Sequence, residues 1–475
     1  MDLYTYLVSE LLFPLQEFIK RHDTLRVRRR LDATQWWDPE RLETLRIERL
    51  RGLLVEAGRH VPYYQRCFDK IGFKPDSLQS VTDLCRLPTL SKADIRTNSE
   101  ALRHTHAQRL SRSSTGGSSG EPLSFLIGSE RVSHDVAAKW RATRWFGVDV
   151  GDPEIVLWGS PIELAIQDRL RLLRDKLMRS TLLSAFDMSD ANLDRYIETI
   201  RRRRPRMLFG YPYSMTHLAQ HAERRGVSLD DLGIKVAFVT SEVLYPSQRE
   251  TIQRVFGCVV ANGYGGRDAG FIAHECPAGG LHITAEDIIV ETLDVNGDPA
   301  AKGQAGEVTI THLATRDYPF IRYKTGDMAV LDDRQCRCGR GLPMLREVQG
   351  RTNDFLIAAD GTALPCKAFT FLLREVPGID SFKVIQESVA RTRIVLVTSA
   401  DYHPGSEPSL VEGFRRRLGR NVCIDIEYAA GLAVEKTGKF RYVLSKVDRA
   451  TLGGPAWDAG PSLAASSARP PVWST

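Results

Sequence analysis

The sequence predicts an α/β protein: a large domain on a doubly wound, mainly parallel sheet with a small β-barrel-like subdomain, followed by a smaller α+β lid. Its 475 residues exceed what one hydrophobic core usually organises. Short apolar runs alternate with helical patterns between residues 154 and 265, which is typical of parallel sheets. After residue 280, apolar and polar residues alternate with little helix between them, which favours an antiparallel sheet or a small distorted barrel.

Residues 1–105 are predicted to be a helical part of the large domain, with Ser91 as a helix cap. Near the start, apolar residues recur at the spacing of one helix face. We expect this face to pack on the body of the protein rather than to lie on a membrane. Its members are Leu7, Leu11, Leu12, Leu15, Phe18 and Ile19.

Residues 106–350 are predicted to form the core of the large domain. The expected strands are 154–159, 206–211, 235–241 and 258–265, and the expected helices are 191–204, 214–225 and 246–256. Alternating patterns then follow at 282–294, 306–313 and 328–333. Residues 351–450 carry a new α+β pattern and are predicted to form a mobile lid. The Gly-, Pro-, Ala- and Ser-rich residues 451–475 are predicted to be disordered.

Composition and charge exclude several classes of protein. A hydrophobic fraction of 42% with 26% charged residues is that of a globular protein. No apolar run approaches the ~20 residues that cross a bilayer, and the start lacks the features of a secretory signal, so we expect a cytoplasmic location. Two basic runs, Arg26 with 28–30 and 201–204 with Arg206, lack a nucleic-acid-binding context. They are expected to be solvated helix faces.

A loop rich in glycine and hydroxyl side chains follows at residues 111–128. Its glycines allow backbone N–H groups to turn toward an anion, and its hydroxyls add donors, so phosphate binding is favoured over a flexible linker. A Walker A loop is excluded because no Gly-Lys-Ser/Thr follows. The candidate phosphate-binding residues are Thr115, Gly116, Gly117, Ser118, Ser119 and Gly120.

Four further short segments carry candidate binding residues. Tyr264, Gly265 and Asp268 follow a predicted strand, where the ligand loops of α/β proteins lie. YKTGD at 323–327 places the Asp327 carboxylate in a glycine turn, where it can accept two hydroxyl hydrogen bonds, as a ribose requires. GRTNDF begins at residue 350, and EKTGKF ends at residue 440.

Together these segments resemble the motifs of the adenylate-forming (ANL) superfamily of acyl-CoA synthetases, and within it the phenylacetate–CoA ligase branch with its capsular-polysaccharide-associated relatives. STGGSSGEP, YGGRD, YKTGD, GRTND and TGKFR stand in the family's order between about Leu87 and Lys446. Two positions depart from the family pattern. Glu121 replaces the lysine of the phosphate loop, and Asp268 replaces a glutamate one methylene longer.

The resemblance implies a ligase that uses ATP and Mg²⁺ to convert a carboxylic acid, expected to be aryl or aryl-acetic, into an acyl-AMP, and then transfers the acyl group to CoA. It implies that Lys439 is the lid lysine, with Lys436 as the alternative, and that Thr115, Ser118 and Asp268 take part in catalysis, Asp268 by holding Mg²⁺. It assigns ATP or AMP binding to Thr115–Gly120, Ser241, Glu242, Gly263, Tyr264, Gly265, Asp327, Arg351 and Lys439, and the lid hinge to Asn353 and Asp354.

An acyl pocket is expected near Tyr211, Pro212, Tyr213 and Ser214, although these residues could equally belong to the core. Cys276, His282, Cys336 and Cys338 form a C-x5-H…C-x-C pattern. Three thiolates and an imidazole satisfy tetrahedral Zn²⁺ without an open position, so a structural zinc site is predicted, with His274 as a substitute ligand.

Two other functions stay open from the sequence. The acyl acceptor could be the phosphopantetheine of an acyl carrier protein, or an amine, instead of CoA. The substitutions at Glu121 and Asp268 also permit a nucleotide-binding regulatory protein with degraded catalysis. No nucleic-acid partner is expected, and either a monomer or a homodimer is plausible.

Overall fold

A computed structural model describes residues 2–115, 123–159, 169–294, 296–351, 355–365, 367–374, 376–432 and 440–447. The chain divides into two compact units. The large unit comprises Met1–Asn353 together with Ala433–Arg441, and the small unit comprises Asp354–Leu432 together with Tyr442–Thr475. Within the described residues, no helix is both long and apolar enough to span a membrane.

The first hundred residues are helical, as predicted. Ser91 caps its helix: its hydroxyl accepts the Asp94 N–H, and the Asp94 carboxylate accepts the Ser91 N–H, which satisfies donors that the helix leaves open. The helices are α1 (Leu3–Leu7), α2 (Phe13–Lys20), α3 (Thr24–Thr34), α4 (Pro39–His60), α5 (Pro62–Ile71) and α6 (Lys92–Thr97); a π-helical turn (Val8–Leu12) joins α1 to α2, and 3₁₀ turns lie at Pro75–Ser77 and Val81–Arg86.

The prediction for the first helical segment was wrong about which face turns inward. Thr5, Val8, Phe13 and Glu17 are buried against the body of the large unit. The apolar face expected to pack there is exposed instead: Leu7, Leu11, Leu12, Leu15, Phe18 and Ile19. Periodicity showed which residues share a face, but a second inward face of mixed residues made the choice between them ambiguous.

The large unit is organised by one eleven-stranded sheet. Four strands at one end are parallel to their neighbours: β3 (Glu154–Trp158), β4 (Ser180–Ser184), β5 (Met207–Gly210) and β6 (Val236–Thr240). The fifth strand, β7 (Val259–Gly266), is parallel to β6 and antiparallel to β8 (Gly270–Glu275). The predicted doubly wound part is therefore confirmed. Before this sheet, β1 (Ser111–Ser114) and β2 (Ser124–Ile127) form a separate hairpin.

The rest of the sheet is antiparallel, which was one of the two alternatives predicted after residue 280. Its strands are β9 (Leu281–Ile283), β10 (Ile288–Leu293), β11 (Ala305–His312), β12 (Tyr323–Asp332) and β13 (Met344–Arg351). The order β10-β11-β12-β13-β9-β8-β7-β6-β5-β3-β4 makes these strands an extension of the parallel part. β13 joins the two parts through only two residue pairs, Met344 with His282 and Leu345 with Leu281.

The helices of the large unit follow the predicted alternation with strands. They are α7 (Ser129–Arg144), α8 (Arg169–Leu177), α9 (Asp190–Arg203), α10 (Pro212–Arg224) and α11 (Pro246–Phe256). A core of aliphatic residues from α9, α10 and α11 packs on the parallel strands, and a second core joins α4 and α5 to the antiparallel strands.

The basic runs are only partly solvated, contrary to the prediction. Residues 201–204 are exposed at the end of α9. Arg28, in contrast, is buried, and its guanidinium lies 3.9 Å from the Asp149 carboxylate. Arg28 thus belongs to the packing of α3 on the large unit.

The small unit has a four-stranded sheet in the order β18-β17-β16-β19. Buried Gln386 links it to a hairpin, because its side chain accepts the Ile357 N–H and donates to the Ile357 carbonyl. The elements are β14 (Phe355–Ile357), β15 (Ala363–Pro365), α12 (Lys367–Arg374), β16 (Ile379–Ser388), β17 (Arg391–Thr398), α13 (Glu407–Leu418), β18 (Cys423–Tyr428) and β19 (Val443–Ser445).

Candidate functional site

The β7–β8 hairpin carries Tyr264 and leads into the turn with Asp268. The hairpin strands approach so closely that a Cβ on Gly265 would lie 2.2 Å from the Gly270 carbonyl oxygen. A Cβ on Gly263 would lie 2.9 Å from the Phe238 ring. Both glycines predicted to contact the nucleotide are therefore required by the packing of the sheet itself.

Asp327, on β12, receives a hydrogen bond from Tyr264 of the YGGRD segment. The Tyr264 hydroxyl donates to Asp327 Oδ2 over 3.0 Å, and the Arg351 guanidinium lies 3.6 Å from Asp327 Oδ1. Burial raises the pKa of Asp327, and the positive charge of Arg351 opposes this rise. Burial and the adjacent Asp327 raise the pKa of Tyr264, so its hydroxyl remains a donor. The structure thus joins three predicted nucleotide-binding residues in one cluster.

Asp268 is held by the first residue of the YKTGD segment. The Tyr323 hydroxyl donates to Asp268 Oδ2 over 2.5 Å. Burial and the neighbouring Asp268 raise the pKa of Tyr323 well above its usual value. A tyrosine that keeps its proton occupies one carboxylate oxygen, which leaves Oδ1 for another partner.

A buried arginine donates hydrogen bonds to the backbone of the turn that carries Asp268. Arg131, on α7, donates to the carbonyls of Arg267 and Asp268 over 3.3 and 3.5 Å, and its Nε donates to Asp135 over 2.8 Å. Burial by itself would raise the pKa of Asp135, but Arg131 and His312 hold it below the ordinary value. The turn is therefore fixed to the helix by hydrogen bonds from Arg131, whose charge is paired with Asp135 on the same helix.

The predicted phosphate loop begins at the end of a short hairpin. At its neck, the Thr115 N–H donates to the Leu123 carbonyl over 3.0 Å, and the Leu123 N–H donates to the Thr115 hydroxyl over 2.9 Å. The Arg267 guanidinium donates to the Ser114 carbonyl over 3.5 Å, which places this neck beside the Asp268 turn. The loop residues Gly116, Gly117, Ser118, Ser119, Gly120 and Glu121 lie outside the described residues.

The loop after β6 carries Ser241 and Glu242. Ser241 has a φ of 72°, an uncommon backbone conformation for serine that is found most often in turns and functional sites. Glu242 accepts the Tyr213 N–H over 3.1 Å and the Phe440 N–H over 2.8 Å. The Phe440 ring stacks on Tyr213 with centroids 4.3 Å apart. Residue 440 is therefore anchored to the large unit at two points.

Several predicted residues fall in the parts of the chain that the structure does not describe. Lys439 directly precedes the anchored Phe440 in the sequence but lies outside the described residues, as does the alternative Lys436. The proposed hinge residues Asn353 and Asp354 lie outside them as well.

The residues of the expected acyl pocket differ in their burial. Tyr211 is buried and stacks on Trp158 with centroids 4.2 Å apart, while Pro212 is buried in the first turn of α10. Tyr213 is half-buried. Ser214 is fully buried, and its hydroxyl has no hydrogen-bond partner within the described residues. A buried donor without a partner indicates a position that a polar ligand group can fill.

The four predicted zinc ligands come together. Their ligand atoms all lie within 4.8 Å of one another. Cys276 Sγ lies 3.7 Å from Cys336 Sγ, and Cys338 Sγ lies 3.2 Å from His282 Nε2. His282 Nδ1 lies 3.2 Å from the Leu342 carbonyl, an arrangement that orients a ligating imidazole. This donor set fits tetrahedral Zn²⁺.

The cluster lies beside the two residue pairs through which β13 pairs with β9. Cys276 follows β8, His282 belongs to β9, and Cys336 and Cys338 precede β13. A Cβ on Gly280 would lie 2.7 Å from Cys336 Sγ, so this position has no room for a side chain. His274, the substitute ligand, is not a member of the cluster, because its ring is buried and stacks on Phe271.

Sequence patterns missed three residues that shape the site. Arg131 is one of three arginines in α7, with no local signal of its role. Tyr323 opens the YKTGD segment, but its pairing with Asp268 depends on strands 55 residues apart in the chain. Trp158 lies near the end of a predicted strand, and no pattern in the sequence places it on Tyr211.

Comparisons with known proteins give one family model and several similar proteins. The family model of the CapK C-terminal domain matches residues 356–446. A phenylacetate-coenzyme A ligase of Thermus thermophilus is 24% identical over 408 residues, which cover 81% of this chain and 85% of the relative. Protein CapK of Staphylococcus aureus is 23% identical over 379 residues, which cover 78% of this chain and 81% of the relative.

A solved structure of similar fold is 2-hydroxyisobutyryl-CoA ligase in its postadenylation state. It superposes with a TM-score of 0.68 at 20% identity, covering 88% of this chain and 92% of that chain. The fold is therefore that of the adenylate-forming CoA ligases. The chain is similar to phenylacetate–CoA ligases and to CapK, so the resemblance stated from the motifs is confirmed.

Proposed function

We propose that this protein is an AMP-forming acid–thiol ligase that activates a carboxylic acid with ATP and transfers the acyl group to CoA. One observation carries the proposal: the Asp327 and Asp268 carboxylates are each held by a tyrosine hydroxyl from the other's motif. Two separate sequence motifs therefore build one nucleotide site. The reaction consumes ATP and CoA, so a cytoplasmic location belongs to the same proposal.

On the nucleotide side, Asp327 accepts hydrogen bonds from the ribose hydroxyls. Arg351, 3.6 Å from Asp327, opposes the rise that burial causes in the pKa of that carboxylate. Tyr264 lies against the adenine, with its hydroxyl fixed on Asp327. Ser241 and Glu242 border the same side, and the loop that begins at Thr115 embraces the β- and γ-phosphates with its N–H and hydroxyl donors.

Asp268 is the proposed magnesium ligand. Carboxylate oxygens suit Mg²⁺, which would neutralise charge on the phosphates when bound. Tyr323 holds one Asp268 oxygen, and Arg131 holds the backbone of the turn, so the second oxygen is oriented without cost at the moment of reaction. This support offsets the shorter reach of an aspartate at a position where the family carries glutamate.

Lys439 is proposed to bridge the acid and the α-phosphate while the carboxylate attacks and pyrophosphate leaves. Its neighbour Phe440 is bonded to Glu242 and stacked on Tyr213. The anchored Phe440 directly follows Lys439 in the sequence, which supports this assignment. Release of that anchor would accompany the second half-reaction, with a hinge at Asn353 and Asp354.

The acid is proposed to enter near Tyr211, Tyr213 and Ser214. The stacked rings of Trp158 and Tyr211 offer a flat apolar wall, and the unpartnered Ser214 hydroxyl offers one polar contact. An aromatic acid matches this combination, in keeping with the phenylacetate ligases among the relatives.

The cysteine–histidine cluster is proposed to hold a structural zinc ion. Cys276, His282, Cys336 and Cys338 would supply all four ligands, which leaves no position for a reacting group. They tie the end of β8 to the turn before β13, where the sheet is joined by only two residue pairs. The ion would therefore stabilise the part of the sheet that carries Asp268 and Asp327.

Pyrophosphate exchange over a panel of aromatic and aliphatic acids tests the proposal. The Lys439→Ala variant is compared with Lys302→Ala, which removes an exposed lysine from a turn. We expect exchange with one class of acid in the wild type and in Lys302→Ala, and a loss of about 100-fold or more in Lys439→Ala.

Bound ATP without exchange for any acid would favour the regulatory alternative and direct attention to Glu121 and Asp268. Product analysis with CoA, a holo carrier protein and an amine then identifies the acceptor. Thioester formation with CoA alone supports the ligase, whereas product with the carrier protein alone would favour the loading alternative.

A further inference from the structure

An apolar stripe runs along the outside of the first helical segment. Of the fifteen large apolar side chains exposed in the described part of the chain, eight lie between residues 3 and 19. The outermost leave most of their surface in solvent: Phe18 is 79% exposed, Leu3 76% and Ile19 71%. The members of this outer stripe are Leu3, Tyr6, Leu7, Leu11, Leu12, Leu15, Phe18 and Ile19.

The opposite face fixes this segment to the large unit. Val8 and Phe13 pack with Val150, and the Thr5 hydroxyl donates to Asp152 over 3.1 Å. Val8 approaches Gly151 so closely that a Cβ there would lie 2.6 Å from Val8 Cβ. Because the inner face is already packed, the outer stripe cannot turn inward by rolling the helix without losing these contacts.

Helix α8 extends the stripe and brings positive charge. Its Leu173 and Leu177 are exposed, and the Tyr4 hydroxyl donates to the Leu177 carbonyl over 3.0 Å. Burial lowers the pKa of Lys20, and the nearby charge of Arg174 contributes to that lowering, so both cations lie in one patch. Residues 2–22 and 169–179 together contain seven Lys or Arg and four Asp or Glu, a net charge of +3.

An apolar stripe of this size marks an interaction surface. The positive charge around the stripe indicates which kind of partner can cover it. A second copy of the chain, related by a two-fold axis, would bring the same positive patch against itself. An anionic bilayer instead offers an apolar interior beneath a negative surface, which matches an amphipathic helix with basic flanks. We propose that the outer stripe, with Leu173 and Leu177, binds the surface of an anionic phospholipid membrane, on which the protein lies without crossing it.

Flotation with vesicles tests this proposal on the full chain. Vesicles of phosphatidylcholine with phosphatidylglycerol are compared with vesicles of phosphatidylcholine alone. We expect the wild type to float with the anionic vesicles and to be released by added salt. The double variant Phe18→Glu/Ile19→Glu should lower the bound fraction about tenfold. The control Ile71→Glu changes an exposed apolar residue of α5 and should bind as the wild type does.

Far-ultraviolet circular dichroism and pyrophosphate exchange show whether the double variant is folded, since neither residue belongs to the proposed active site. Two results would overturn the proposal. One is a wild type that binds neither kind of vesicle. The other is a wild-type dimer in light scattering that becomes monomeric in the double variant, because a second copy would then be the occupant of the stripe.

Discussion

The Tyr323 hydroxyl determines which oxygen of Asp268 remains available. We predict that Tyr323→Phe lowers the rate of pyrophosphate exchange by about 10- to 100-fold, because a hydrogen bond to a charged group contributes roughly 1.5–3 kcal/mol. The loss should be largest at limiting Mg²⁺, since the variant leaves Asp268 free to rotate. Exchange assays over a magnesium titration measure both effects.

Tyr318→Phe is the matched control for this variant. Tyr318 is also buried, and its hydroxyl lies 3.3 Å from the Ser99 hydroxyl, away from either carboxylate. Equal losses in the two variants would show that removal of a buried hydroxyl, and not the orientation of Asp268, causes the effect.

Ser214 combines complete burial with a hydroxyl that has no hydrogen-bond partner among the residues that the structure describes. We predict that Ser214→Ala leaves the free energy of unfolding unchanged or raises it by up to about 1 kcal/mol, because no hydrogen bond is lost. The KM for the acid should rise several-fold, because the proposed pocket loses its polar contact. Urea denaturation and steady-state kinetics separate the two effects.

Thr216→Val provides the comparison on the same helix. The Thr216 hydroxyl donates to the Pro212 carbonyl over 2.8 Å, so this variant should lose stability without a change in KM. A Ser214→Ala protein that is destabilised and keeps the wild-type KM would refute the assignment of Ser214 to the pocket.

The sequence predicted which single residues belong to the site better than it predicted which residues they contact. Tyr264, Asp327 and Arg351 were found because their motifs were recognised, although the structure places them on β7, β12 and β13 and not in the loops or the glycine turn that were expected. The structure brings the three residues together. The pairing of Tyr323 with Asp268 and the support from Arg131 depend on tertiary contacts that no local pattern encodes.

The contacts of Phe440 with the large unit are proposed to matter for adenylation alone. We predict that Phe440→Ala slows adenylation about 2- to 10-fold, because stacking of aromatic rings contributes roughly 0.5–1.5 kcal/mol beyond burial. Thioester formation from a supplied acyl-adenylate should be unaffected, since the anchor serves Lys439 only during adenylation. Pyrophosphate exchange and single-turnover thioester assays report the two steps separately.

Tyr428→Ala is the control for Phe440→Ala, because it removes an exposed ring from β18. It should leave both half-reactions unchanged. Equal slowing of adenylation and thioester formation in Phe440→Ala would contradict a role of the anchor in adenylation alone.

The turn between Cys276 and His282 determines whether the four zinc ligands can converge. We predict that Gly280→Ala displaces Cys336 and lowers the zinc content per chain together with the Tm, because the new Cβ would lie 2.7 Å from the Cys336 sulfur. Elemental analysis and thermal denaturation provide the measurements.

Gly52→Ala is the control for Gly280→Ala. Position 52 lies within α4 with nothing within 4 Å of an added Cβ, and alanine favours a helix by roughly 0.5–1 kcal/mol over glycine. Its zinc content should equal that of the wild type and its Tm should not fall. If wild-type protein contained no zinc and its Tm did not rise when zinc was added, the four side chains would be shown to pack without an ion.

The elements themselves followed from periodicity because strands and helices bury faces with different spacings. The cysteine–histidine pattern likewise identified four side chains, distant in the sequence, whose potential ligand atoms lie close together. The substitute ligand His274 was wrong, because a sequence does not show which way a strand residue points relative to its neighbours.

The whole large unit should lose stability in mild acid. Burial lowers the pKa of His274 to about 3 and that of His312 to about 4, so both stay neutral in the fold. In the unfolded chain they bind protons below about pH 6.5. The unfolded state therefore gains protons first, and the free energy of unfolding should fall as pH drops from about 6.5 to about 4, by about 1.4 kcal/mol per pH unit for each histidine.

Urea denaturation at a series of pH values measures this slope. His274→Met replaces the ring with an apolar side chain that does not titrate and should make the decline shallower by the contribution of one histidine. His106→Gln changes an exposed histidine and should leave the slope as it is. A slope that is the same in all three proteins would contradict the prediction.

At the scale of the molecule, the doubly wound sheet was predicted because its strands are buried on both faces and appear as continuous apolar runs. The continuity of parallel and antiparallel parts was not predictable, because it depends on the pairing of β13 with β9. The exposed side of the first helical segment was missed because both of its faces carry apolar residues.

The position of β13 also matters while the chain is being synthesised. β13 lies between β12 and β9, although it is made after both. Until residue 351 has left the ribosome, β9 and β12 each present an unpaired edge, which is a template for association with other chains. The sheet of the large unit is therefore completed late, and the nascent protein depends on the last strand of that unit to close it.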